Sequence, residues 1–111
     1  MTVTELAETL GCRTLSAGDP DAQVLGGYTS DLLSDVMANA AEGSALITIQ
    51  AHKNTVAVAS IAGIRAIILC GDRRAPEDMI AAARDERIAV LQTGDSQFTA
   101  SHRLARALER S

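Results

Sequence analysis

Aromatic residues are nearly missing from this chain of 111: one tyrosine, one phenylalanine and no tryptophan. Single-stranded bases therefore have no platform to stack on. Basic charge is also short. Ten Lys and Arg against fourteen Asp and Glu leave a formal charge of −4, so the molecule as a whole does not attract a phosphate backbone. Together these shortages exclude a nucleic-acid partner. Apolar runs such as 66–70 fall far below the roughly 20 residues that cross a bilayer. The first residues carry Thr2, Glu5 and Glu8 where a secretion signal has a basic segment. No membrane partner is expected, and a cytoplasmic domain is. Two prolines and a 47% apolar composition exclude a linker or a disordered chain.

Chemistry-bearing motifs are equally scarce. Cys12 and Cys70 stand far apart, without CxxC or a nearby His pair, and a structural zinc site needs about four ligands. Cys70 closes an apolar run, the setting of a small hydrophobe in a buried strand. The chain has no G-x-x-x-x-G-K-[ST] phosphate loop, no HExxH and no G-x-S-x-G. Gly26-Gly27 lacks the third glycine of a dinucleotide fingerprint. No cofactor, metal or catalytic centre is expected.

What is present is an alternation of periods. Thr2-x-x-Glu5 is a capping box opening a helix that Gly11 stops. Segments 12–16 and 23–28 read as short strands around the turn Gly18-Asp19-Pro20. A helix over 31–41 carries Leu32, Leu33, Val36, Met37 and Ala40 on one face, with Ser30 as N-cap. A strand over 44–50 precedes an Ala/Val-rich helix over 54–63, and 66–70, apolar at every position, is an internal strand. Pro76 at the first helical position, followed by Glu77 and Asp78, opens a helix to Glu86. A last strand spans 88–93. Asp95 or Ser96 then caps a final helix bearing Phe98, Leu104, Ala105 and Leu108. From 23 onward the order is β-α-β-α-β-α-β-α, which predicts one compact α/β domain over 1–111 with mostly parallel strands and right-handed crossovers. The direction of the N-terminal helix and first strand is left open. The helix over 54–63 is apolar nearly all round, which points to burial on more than one side and to a subunit interface.

In such sheets ligands gather where strands end and helices begin. Thr48 and Gln50 share a strand face by the period of two, and His52, Lys53 and Asn54 follow at a helix start, where free N–H groups attract anions. These residues hold either a phosphate or base edge, or, as simple caps, no ligand at all. Asp31 and Asp35 form an i,i+4 carboxylate pair able to hold a metal or a proton, although Asp31 also suits a helix first turn. Gly71-Asp72-Arg73-Arg74 is either an anion-binding turn with two guanidinium forks or a solvated turn. His102, Arg103, Arg106 and Arg110 complement the negative end of the last helix.

The strings SDLLSDVM (30–37) and TIQAHKNTVAVAS (48–60) resemble the DRTGG domain family, especially its small stand-alone members, over about 28–108. The resemblance implies a mixed, mostly parallel sheet flanked by helices, similar to the N-terminal domain of HPr kinase/phosphorylase. Related domains accompany phosphate acetyltransferases and CBS-pair proteins as regulatory or dimer-forming modules. It carries over Asp31, Asp35, Thr48, Gln50, His52 and Asn54 as candidate site positions. The DRTGG string itself is absent, and 71–74 echo it only in part. Kinase activity is not expected without a phosphate loop. The expectation is a non-catalytic regulatory or adaptor domain, homodimeric, binding a nucleotide or other phosphorylated metabolite through Asp31, Asp35, Thr48, Gln50, His52, Lys53 and Asn54. The alternative is a pure interaction module that docks on itself or on a larger enzyme.

Overall fold

A computed structural model describes residues 1–110. Five helices and five strands follow in the order α1 (Val3–Leu10), β1 (Arg13–Ser16), β2 (Gly26–Thr29), α2 (Leu33–Asn39), β3 (Ser44–Thr48), α3 (Lys53–Ala62), β4 (Ala66–Leu69), α4 (Glu77–Asp85), β5 (Ala89–Gln92) and α5 (Gln97–Arg110). The strands form one mixed sheet in the order β1-β5-β4-β3-β2. β2, β3, β4 and β5 run parallel, and β1 lies antiparallel to β5 at the far edge, which settles its direction. This is the expected α/β architecture.

Alternation along the strands divides the core in two. Leu46, Ile67, Leu69 and Val90 point to one face, where they meet Val36 of α2, Val56 and Ala59 of α3, and Met79 and Ala83 of α4. Ala45, Ile47, Ala66, Ile68, Ala89 and Leu91 point to the other, against Val3, Leu6 and Leu10 of α1 and Ala100, Leu104 and Ala107 of α5. Strands covered on both sides are largely apolar, and Ser44–Thr48 and Ala66–Leu69 are buried at every position. Each parallel step moves one strand along the sheet, and the three crossover helices share a single face. Gly27 is the point of closest approach on the opposite face. A Cβ there would lie 2.6 Å from Leu104 Cδ2, so the missing side chain lets α5 settle on β2.

Several local expectations are revised. The capping box of Thr2 and Glu5 and the left-handed Gly11 stop are both present. Gln23 only bridges to Thr2, and its strand starts at Gly26. Ser30 does not cap α2: its Oγ accepts from Leu32 N–H, a local turn that delays the helix to Leu33. Pro76 stands as N-cap of α4, one position earlier than expected. Phe98 is 85% exposed, because Ala100, Leu104 and Ala107 define the buried stripe of α5. The apolar α3 is packed on more than one side. It is the central helix of its layer, touching α2, α4 and the sheet, while Ala57, Ser60 and Ile61 remain exposed.

Candidate functional site

The loops after β2, β3, β4 and β5 meet at the carboxyl edge of the sheet, and Asp31 is the hub of one corner. Its Oδ1 accepts from Thr48 Oγ1 at 2.9 Å, from Ile49 N at 2.9 Å and from Gln97 Nε2 at 3.0 Å. The same Gln97 amide reaches Oδ2 at 3.1 Å. The Asp31 carbonyl accepts from Gln50 Nε2 at 3.0 Å. Thr48 is fully buried; its hydroxyl donates to Asp31 and accepts from Gln50 N. Thr55 Oγ1 donates to the Gln50 carbonyl at 2.8 Å, tying the start of α3 to the same corner. Partial burial works to raise the Asp31 carboxyl, but the Ile49, Thr48 and Gln97 donors and the nearby Arg73 charge outweigh it and hold the group below its ordinary value.

The expected strand over 44–50 ends at Thr48. Gln50 therefore meets Thr48 through the turn that its N–H closes on the Thr48 hydroxyl and through their shared partner Asp31, not through a common strand face. The other candidates go elsewhere. Asp35 sits on α2 with Tyr28 Oη at 2.8 Å and Asn39 Nδ2 at 2.9 Å. Those donors, with Ser30, lower its carboxyl. Because α2 begins only at Leu33, Asp31 and Asp35 do not share a helix face. Among the described residues no group of three or more His, Cys, Asp or Glu is placed to hold a metal ion. His52 turns back as the N-cap of α3, its Nδ1 accepting from Asn54 N at 3.0 Å. Its imidazole and the Gln50 amide therefore serve different partners. His52, Lys53 and Asn54 are exposed.

The neighbouring loops are knitted through their backbones. Gly71 N donates to the Asp95 carbonyl at 2.9 Å and Asp72 N to the Thr93 carbonyl at 3.0 Å. Gln92 Nε2 donates to the Arg73 carbonyl at 2.8 Å, fixing the turn that carries the two guanidiniums. Arg103 pairs with Asp95 at 2.6 Å and also donates to the Thr9 carbonyl, so one member of the basic C-terminal run braces α1, α5 and the β5 loop. Ser96 Oγ accepts from Thr99 N, the cap expected there. Burial, with Cys12, Asp95 and Asp31 adding to it, pushes the Cys70 thiol up to about 11, and the side chain is fully buried. It is a packing residue.

Gln97 was not recognisable from the sequence. Nothing in the string TGDSQF marks it, and its partner Asp31 lies 66 residues away. Among the described residues no helix is long and apolar enough to cross a membrane.

No family model matches the chain, and no curated protein matches it. Among solved structures it is similar to the CBS and DRTGG domains of the regulatory region of a Clostridium perfringens pyrophosphatase, crystallised with the activator diadenosine tetraphosphate. The TM-score is 0.76 over 96% of this chain, at 17% sequence identity. What they share is the fold. The match spans 47% of that structure, so this chain corresponds to about half of it.

Proposed function

We propose that residues 1–111 form one DRTGG-like, non-catalytic regulatory or adaptor domain that responds to an anionic ligand such as a nucleotide. The observation that carries this reading is the fold it shares with a pyrophosphatase regulatory region crystallised with diadenosine tetraphosphate. The polar residues of this chain gather at the carboxyl edge of the same kind of sheet, the side where α/β folds take ligands. The groups that acid–base chemistry would use are engaged in structure. Asp31 is held ionised by its donors, His52 caps α3, and Cys70 is sealed in the core. In this reading Asp31, Thr48 and Gln50 form the frame of the rim, and His52, Lys53 and Asn54 offer contacts outward from it, with Asp35 at its margin. Calorimetric titration with AMP, ATP and diadenosine tetraphosphate tests it. Binding of at least one is expected, and heat of dilution alone from all three rejects the reading.

A second reading, an interaction module without a small ligand, is favoured by the apolar surface beside the β2 edge. Leu25 is 74% exposed, Leu32 63% and Met37 48%. A homodimer, or docking on a larger enzyme, would cover these side chains. Light scattering on the purified chain is expected to give a dimer mass that Leu32→Asp and Met37→Asp reduce to a monomer. A wild-type monomer at every concentration rejects self-association.

A further inference from the structure

On the face that carries α2, α3 and α4, the last of these helices packs against both β5 and the edge strand β1. α2, α3 and α4 each follow from a parallel step, and β1 joins the sheet without one. Leu15 of β1 is partly buried against that layer, while Arg13 at the start of the strand is exposed. Between β1 and α4 lies a cleft of about 780 Å³, within the size range of small-molecule sites. Arg13 and Leu15 of β1 and Gln92 of β5 line one side; Ala75, Pro76 and Ile80 form an apolar wall on the other. Arg74 enters from the loop after β4, and Glu77 is the one acidic residue of the lining.

Charge sets this cleft apart from the rest of the rim. In a chain of net charge −4 it brings two guanidiniums from two separate elements against a single carboxylate. Neither the Arg13 nor the Arg74 guanidinium has a hydrogen-bond or ion-pair partner among the described residues, where the one side-chain ion pair is that of Arg103 with Asp95. The Gln92 amide clamps the Arg73 carbonyl and so fixes the base of the turn that presents Arg74. Paired guanidinium forks beside an apolar wall suit a ligand with phosphate at one end and an apolar body at the other. Leu15, Pro76 and Ile80 would take that body by burial, since no aromatic residue lines the cleft.

We infer that the cleft between β1 and α4 is a nucleoside-phosphate site, with Arg13 and Arg74 holding the phosphates and Leu15, Pro76 and Ile80 packing the nucleoside. This inference rests on the nucleotide reading above and moves its site from the Gln50–Asn54 loop to the opposite end of the rim. The test is titration of the whole chain with ATP, AMP and diadenosine tetraphosphate, repeated on Arg13→Ala/Arg74→Ala and on the charge-matched control Arg65→Ala/Arg84→Ala. All four side chains are exposed, so both variants keep the fold, which thermal melting verifies. The expected result is a loss of about tenfold or more in affinity for the Arg13/Arg74 pair, the scale of charge-assisted bonds to phosphate, with the Arg65/Arg84 variant unchanged. Binding that survives the Arg13/Arg74 substitutions overturns the cleft site and leaves the nucleotide reading standing. A wild type that binds none of the three overturns both.

Discussion

The two ends of the carboxyl rim both present polar side chains and behave in opposite ways. At the β2–β3 end, Asp31, Thr48, Gln50 and Gln97 satisfy one another within 3.1 Å. At the β1–α4 end, the Arg13 and Arg74 guanidiniums face a common cleft and have no partner among the described residues. A buried or half-buried polar group costs free energy unless it is paired, so the first cluster is a joint that fixes three chain segments. Exposed guanidiniums carry no such penalty; they stay solvated and available to an anion. Polar residues at a strand end therefore mark a ligand site only when the fold leaves them something to bind.

Substitutions can break this contrast, and the largest effect belongs to the joint. Asp31→Ala removes the acceptor of Thr48, Ile49 and Gln97 together and is expected to cost about 2–3 kcal/mol of stability in denaturant melts, by the typical penalty for stranded donors. A loss no larger than that of a random surface substitution would show that the joint is ornamental.

The same carboxylate gives the contrast a pH signature. Asp31 titrates below its ordinary value of 3.8 in the fold, so its contribution is complete above that value and fades as pH falls through the lower folded one. The stability gap between wild type and Asp31→Asn is expected to be constant near neutral pH and to narrow as pH falls below about 5. Partial exposure of Asp31 screens and limits the change. A gap that widens on acidification contradicts the assignment. Gln97→Ala, which breaks one bifurcated contact and leaves the other donors in place, should cost about 1 kcal/mol. Arg13→Ala and Arg74→Ala should shift stability by less than about 0.5 kcal/mol, the usual range for surface positions without a structural task. A larger loss would assign the arginines to the framework and erase the distinction between the two ends.

The architecture was legible because parallel strands covered on both faces are largely apolar, and residues 45–47 and Ala66–Leu69 carry that signature. Capping chemistry located α1 and α5 from Thr2, Glu5, Gly11 and Ser96, each of which bonds a partner only three or four residues away. Misreadings arose where a local competitor or a distant partner decided the outcome. Ser30 closes its own turn on Leu32 and displaces the start of α2, which releases Asp31 from the helix and turns it toward β3. Phe98 follows the phase set by Ala100, Leu104 and Ala107 and so faces solvent. Residues Thr48 and Gln50 were recognisable as a pair, but that each was already committed to Asp31 depends on a contact 17 or more residues away. The β1–α4 cleft had no local signal, since the fold brings its two walls together from distant parts of the chain.

Backbone amide shifts of the isotopically labelled chain, followed by NMR during titration with ATP, put both ends of the rim under observation at once. The account predicts progressive shifts at Arg13, Leu15, Arg74 and Gln92, with Asp31, Thr48 and Gln50 still. Shifts confined to 50–54, or a spectrum that does not move, would contradict it.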